Sequence, residues 1–162
     1  MSLRIIATGG TFDKHYDPIT GQIVFVDSVL PEALARARIT DTASVEPLMA
    51  IDSLDMNDTD RAQILSACER SAEEKIVIIH GTDTMRETAQ VLGHAGLKKT
   101  IVLTGAMVPY RVASSDALFN LGFAVAVAQL NAQGVFVAMN GRVFSWDRVR
   151  KNKTDGIFEN AD

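Results

Sequence analysis

Missing from this sequence are a second cysteine, a basic stripe, an internal repeat and any apolar run long enough to cross a bilayer. With Cys68 alone, no internal disulfide can form, and the composition fits a reducing cytoplasm, where we expect the protein to reside. A formal net charge of -4 without clustered Lys and Arg argues against nucleic acid or an anionic membrane surface as a partner. The apolar stretch at residues 3–7 is too short for a secretory signal and runs straight into Gly9-Gly10. His15 and His94 are isolated, so no metal site is expected, and no motif calls for a cofactor.

What remains is the composition of a folded globular chain: 47% hydrophobic, 22% charged, and long enough for one buried core. Residues 3–7, 75–79, 100–103 and 135–139 are short, nearly continuous apolar runs, as expected of strands buried on both faces. Helical patterns fall between them, at residues 60–72, 84–94 and 116–129. Asn57 or Asp58 is placed to cap the first, and Thr84 with Glu87 has capping-box spacing for the second. Residues 11–22 read as loop, 23–26 as a small hairpin strand and 31–38 as a short helix. Residues 142–146 read as a partner for the strand at 135–139, and the polar tail at 147–162 carries no clear pattern. Alternating strands and helices predict an α/β fold, flavodoxin-like, with a mainly parallel sheet covered by helices on both faces in one domain over residues 1–162.

Ligands bind such sheets beyond the carboxyl ends of the strands. Three unusual turns belong at that edge: Thr8-Gly9-Gly10-Thr11, His80-Gly81-Thr82-Asp83-Thr84 and Thr104-Gly105-Ala106. A threonine hydroxyl is a weak nucleophile that needs a nearby base, and a tetrahedral intermediate needs donors for its oxyanion. Gly9, Gly10 and Gly81 allow close backbone approach to a ligand. Taken singly, each element has a simpler reading. Gly-Gly between threonines makes a tight turn or a phosphate cradle, Asp83 caps a helix, and the cations at residues 148–153 form a solvated face. His80 reads as a satisfied structural histidine, Trp146 as a packing residue and Cys68 as an inert core thiol.

Taken together, the turns resemble the bacterial-type L-asparaginase family. Ala7-Thr8-Gly9-Gly10-Thr11 resembles its amino-terminal signature, and His80-Gly81-Thr82-Asp83-Thr84-Met85 its second. Residues 53–58 and 103–107, with Asp116 and Asn120, are similar to further stretches of the same family. The resemblance implies that Thr11 is the nucleophile and that Thr82 and Asp83 belong to a second catalytic triad. Tyr16 stands for the tyrosine that activates the nucleophile. It also implies that Gly10, Ser53, Leu54, Asp55, Gly81 and Ala106 surround the substrate, Ser53 at its carboxylate and Asp83 at its amino group. The triad lysine falls on Lys151 counting forward from Val149, or on Arg150 counting back from Thr154-Asp155. Lys151 is preferred because arginine stays protonated. Leu54 replaces a glutamine that touches substrate in the secreted enzymes, and the family's second domain would begin only beyond residue 162.

The leading expectation is an amidohydrolase that cleaves L-asparagine or a related β-amide, without a cofactor, as a homodimer or larger homo-oligomer. The alternative is a catalytically weak binding module for a small amino or dicarboxylic acid. A phosphate or nucleotide cradle is a third reading, disfavoured because it has no need of Thr82-Asp83.

Overall fold

The computed structural model describes residues 2–161. In chain order it contains β1 (Ser2–Gly9), a single 3₁₀ turn (Thr11–Asp13), β2 (Lys14–Asp17), β3 (Gln22–Phe25), α1 (Leu30–Ala37), β4 (Thr42–Ile51) and α2 (Asp58–Arg70). There follow β5 (Lys75–Ile79), α3 (Met85–Ala95), β6 (Thr100–Thr104), α4 (Ala117–Leu130), β7 (Gly134–Met139), β8 (Arg142–Ser145), β9 (Val149–Asn152) and β10 (Ile157–Asn160). Among the described residues, no helix is long and apolar enough to cross a membrane.

Six strands form the central sheet in the order β4-β1-β5-β6-β7-β8. All neighbours are parallel except β7 and β8. Ignoring the short β2–β3 hairpin, the parallel strands follow the flavodoxin-like order. The sheet is mixed α/β as expected, and β5 shows why its sequence does not alternate. Val77 and Ile79 pack with Leu30, Ala33, Leu121 and Ala124 from α1 and α4 on one side. Ile76 and Ile78 pack with Ile64, Cys68, Ala89 and Leu92 from α2 and α3 on the other. Each fully buried Ile, Val or Leu stabilises the fold by about 1.5–3 kcal/mol relative to an exposed one.

Several local expectations change. Residues 14–17, read as loop, pair antiparallel with β3, because the turn at residues 17–21 brings Asp17 opposite Gln22. The polar tail is a second hairpin, with Ile157 opposite Asn152 and Asn160 opposite Val149. Strand β4 has no counterpart in the sequence reading: its residues, Thr-Ala-Ser-Val-Glu-Pro-Leu-Met-Ala-Ile, are mostly half-buried and interrupted by Pro47, which an edge strand tolerates. Asn57 does cap α2, accepting from the N–H groups of Thr59 and Asp60 while Asp60 accepts from the N–H of Asn57. The expected Thr84–Glu87 capping box is absent: Thr84 occupies the N-cap position of α3 without capping it. Its hydroxyl donates to the carbonyl of Ser53 instead, at 2.7 Å.

Candidate active site

Threonines close the strands that lead into the turns. Thr8 Oγ1 donates to the carbonyl of Ile79 across to β5 at 2.8 Å, and Thr104 Oγ1 to the carbonyl of Ala138 across to β7 at 2.7 Å. Beyond them the turns interlock through glycines. A Cβ on Gly10, which has φ of 72°, would sit 2.4 Å from the backbone nitrogen of Gly81. One on Gly81 would sit 2.6 Å from Ser53 Oγ, and one on Gly105 2.3 Å from the carbonyl oxygen of His80. Side chains at these positions would therefore wedge the turns apart. The third turn is braced from α4. Both carboxylate oxygens of Asp116 accept from the N–H of Met107, and one also accepts from Val108, while Asn120 Nδ2 donates to the carbonyl of Gly105 at 3.0 Å.

Thr11 opens the 3₁₀ turn, half-buried, and its hydroxyl has no hydrogen-bond partner among the described residues. The N–H of Gly10 is taken by the carbonyl of Ile51 at 3.0 Å. The N–H groups of Gly81, Thr82 and Asp83 meet no acceptor among the described residues. They lie immediately before α3, where the helix dipole favours negative charge.

Thr82 is buried and Asp83 half-buried, and both meet one lysine nitrogen. Lys151 Nζ donates to Thr82 Oγ1 at 2.7 Å and to Asp83 Oδ1 at 2.8 Å. Strand alternation sends neighbouring Arg150 the other way, where its Nε pairs with Glu159 at 3.0 Å on the surface. Thr82, Asp83 and Lys151 also wall a cavity of about 190 Å³ with Arg86, Arg150 and Lys153, and Thr11 does not line it.

The remaining candidates are dispersed. Ser53 is buried, with its Oγ accepting the N–H of Thr84 at 3.3 Å. Ala106 is buried in the third turn and belongs to the core cluster under α1 and α4. Leu54 and Asp55 are exposed in the same turn as Ser53. Tyr16, on β2, is 63% exposed, and its hydroxyl has no hydrogen-bond partner among the described residues. Lys14 was missed by the sequence reading: three residues after Thr11, it forms an ion pair with Asp52 that ties the hairpin to the Ser53 turn and lowers the Asp52 carboxyl. Nothing in the sequence linked two residues so far apart. Cys68 is sealed in the core, and burial pushes its thiol up to about 12.

His80 is fully buried between the second turn and α3. A neutral ring satisfies both contacts: Nδ1 donates to the carbonyl of Gly81 at 2.7 Å and Nε2 accepts from the Thr88 hydroxyl at 2.8 Å. Burial lowers its pKa from 6.5 to about 4, against the opposing pull of the Gly81 bond. Between those values the unfolded chain takes up a proton that the folded chain refuses. Stability from this group is therefore intact above pH 6.5 and falls as pH drops toward 4, by on the order of 3 kcal/mol. Urea unfolding at pH 7 and pH 5 should show about 2 kcal/mol of this loss, and His80→Gln should reduce the difference. An unchanged difference in the variant would refute the assignment.

A mainly parallel α/β sheet carries three interlocked threonine–glycine turns at its carboxyl edge, with a lysine holding two residues of the second turn, an arrangement suited to a small-molecule site. Residues 2–159 match the model of the amino-terminal domain of asparaginase, and the chain belongs to that family. It is 37% identical over 168 aligned positions to L-asparaginase 2 of Escherichia coli K12, covering 96% of this chain and 48% of the relative. It is 33% identical over 160 positions to the glutaminase-asparaginase of Acinetobacter glutaminasificans, covering 91% of this chain and 48% of the relative. The thermostable L-asparaginase of Thermococcus kodakarensis superposes with a TM-score of 0.87 at 26% identity, covering 99% of this chain and 51% of that one. The chain thus spans about half the length of the relatives it matches.

Proposed function

We propose that this chain is an amidohydrolase domain that cleaves L-asparagine or a related β-amide through Thr11, releasing ammonia. The observation that carries the proposal is the hydrogen-bonded group Lys151–Thr82–Asp83 at the sheet edge that also holds the unpartnered Thr11 hydroxyl. In this reading Thr11 Oγ attacks the amide carbonyl and forms the acyl bond. Its proton passes by way of Thr82 to Lys151 in its neutral amine form and is returned to the leaving nitrogen, so that ammonia departs while the oxyanion meets backbone N–H donors. Water then releases the acid and restores the hydroxyl. Ammonia release from L-asparagine by the purified chain tests it directly; the absence of turnover with any small β-amide would overturn it.

The same site favours substrates without an α-amino group. Leu54, 65% exposed, offers no polar contact. A missing hydrogen bond to a charged group costs about 1.5–3 kcal/mol, roughly ten- to a hundred-fold in affinity. The expected result is a high KM for L-asparagine and comparatively good turnover of succinamate. Measured kcat/KM for the two amides under one set of conditions decides it, and a preference for asparagine above about a hundred-fold would show that another group builds the amine site. The same exposed Leu54 favours a second reading, a weakly catalytic binding module. Aspartate binding by calorimetry without ammonia release would select it.

The domain also works as a homodimer or larger symmetric oligomer in this reading, within the cytoplasm. Tyr16, Ile19, Ile23 and Leu54 are exposed large hydrophobic side chains on and beside the hairpin. Light scattering at micromolar concentration should give a mass above that of one chain, and a sharp monomer would contradict it.

A further inference from the structure

A second cavity, of about 600 Å³, lies between the hairpin and the β4 edge of the sheet. Ala7, Pro31, Val45, Pro47 and Met49 give it mostly apolar walls, and neither Lys nor Arg lines it. One carboxylate is set into this wall. Asp13 is only 6% exposed, and its Oδ1 accepts the N–H of Val29 at 2.9 Å and the hydroxyl of Ser28 at 3.0 Å. Its Oδ2 has no partner among the described residues and is not sealed away from the cavity. Asp27 adds a second acid at the rim, and the nearby His15 ring is engaged with the carbonyl of Asp27.

A carboxylate moved from water into apolar surroundings needs compensation at both oxygens. Here the protein compensates one and leaves the other facing a space of ligand size. The Ser28 and Val29 bonds explain Asp13 as a brace between the nucleophile turn and the start of α1. They do not explain the free oxygen or the aliphatic walls around it. We propose that this cavity binds a small primary amine with an aliphatic or aromatic body, the ammonium donating to Asp13 Oδ2 and the body lying against Val45, Pro47 and Met49. Both acids on the walls favour a cation, and the walls favour an apolar body. The site is separate from the Thr82–Lys151 group, although Asp13 closes the 3₁₀ turn that Thr11 opens.

Benzylamine and benzyl alcohol are matched probes, sharing a ring and differing in the charge of the donor. Titrated into the full chain and followed by amide NMR shifts, benzylamine should bind at least about tenfold more tightly than the alcohol. The shifts should centre on Val29, Val45 and Met49 and leave Gly81 to Thr84 unmoved. Asp13→Asn keeps an acceptor for Val29 and Ser28 while removing the charge, and the preference for the amine should vanish in it. The probe comparison in the unaltered protein stands even if this variant fails to fold. Equal affinity for the two probes, shifts centred on residues 81–84, or a preference that survives in Asp13→Asn would overturn the proposal. So would failure of both probes to bind, as when a second copy of the chain covers the cavity.

Discussion

Thr11→Ala should abolish ammonia release, by roughly 10³-fold or more, with the fold intact. The magnitude follows from chemistry: without the hydroxyl no acyl-enzyme forms, and the rest of the relay has no proton to move. The intact fold follows from the structure. The Thr11 hydroxyl is half-buried and makes no hydrogen bond among the described residues, so its removal strands no partner. Thermal unfolding should therefore scarcely change, while Thr11→Ser, which keeps the hydroxyl, should retain part of the activity. A Thr11→Ala protein that hydrolyses amides at near the original rate would remove Thr11 from the role of nucleophile.

Lys151→Met should lower kcat by about 10²- to 10⁴-fold, the range for loss of a positioned acid–base group, and Arg150→Met should leave it close to the parent value. Methionine keeps the apolar stem of the lysine but abandons Thr82 Oγ1 and Asp83 Oδ1 together. Arg150 loses only its pair with Glu159, on a surface where such pairs contribute about 0–1 kcal/mol. Steady-state rates of both variants on the same amide, with far-UV spectra as a check on folding, give the comparison. The reverse ranking would place the base elsewhere.

The buried strands were legible because both faces of the sheet are covered, which writes runs such as Ile76 to Ile79 directly into the sequence. Strand β4 was not, because an edge strand with half-buried residues and a proline lacks both a continuous apolar run and clean alternation. Of the hairpins, only the strand near residues 23–26 was read; its partner at 14–17 and the whole second hairpin escaped because their pairing depends on turns at residues 17–21 and 152–156 more than on the composition of the strands. Thr84 was misread because its spacing to Glu87 is local information, whereas its actual acceptor, the carbonyl of Ser53, lies far away in sequence. Lys151 was preferred to Arg150 on proton chemistry alone. Which of two adjacent residues on β9 faces Thr82 is a matter of strand orientation, and only the fold supplies it.

The position of Pro47 bears on how copies of this protein can meet. Strand β4 is the longest in the sheet and forms its outer border, opposite Ala7 of β1 at the proline. A bare border of that length is a template on which a foreign strand can grow, the route by which many sheet proteins turn into fibrils. A proline midway withholds one donor from any such ladder, and the register shift between Ala7 and Gly9 bends the border away from a straight template. Orderly self-association therefore has to use side-chain surfaces, and disorderly polymerisation through this border is discouraged.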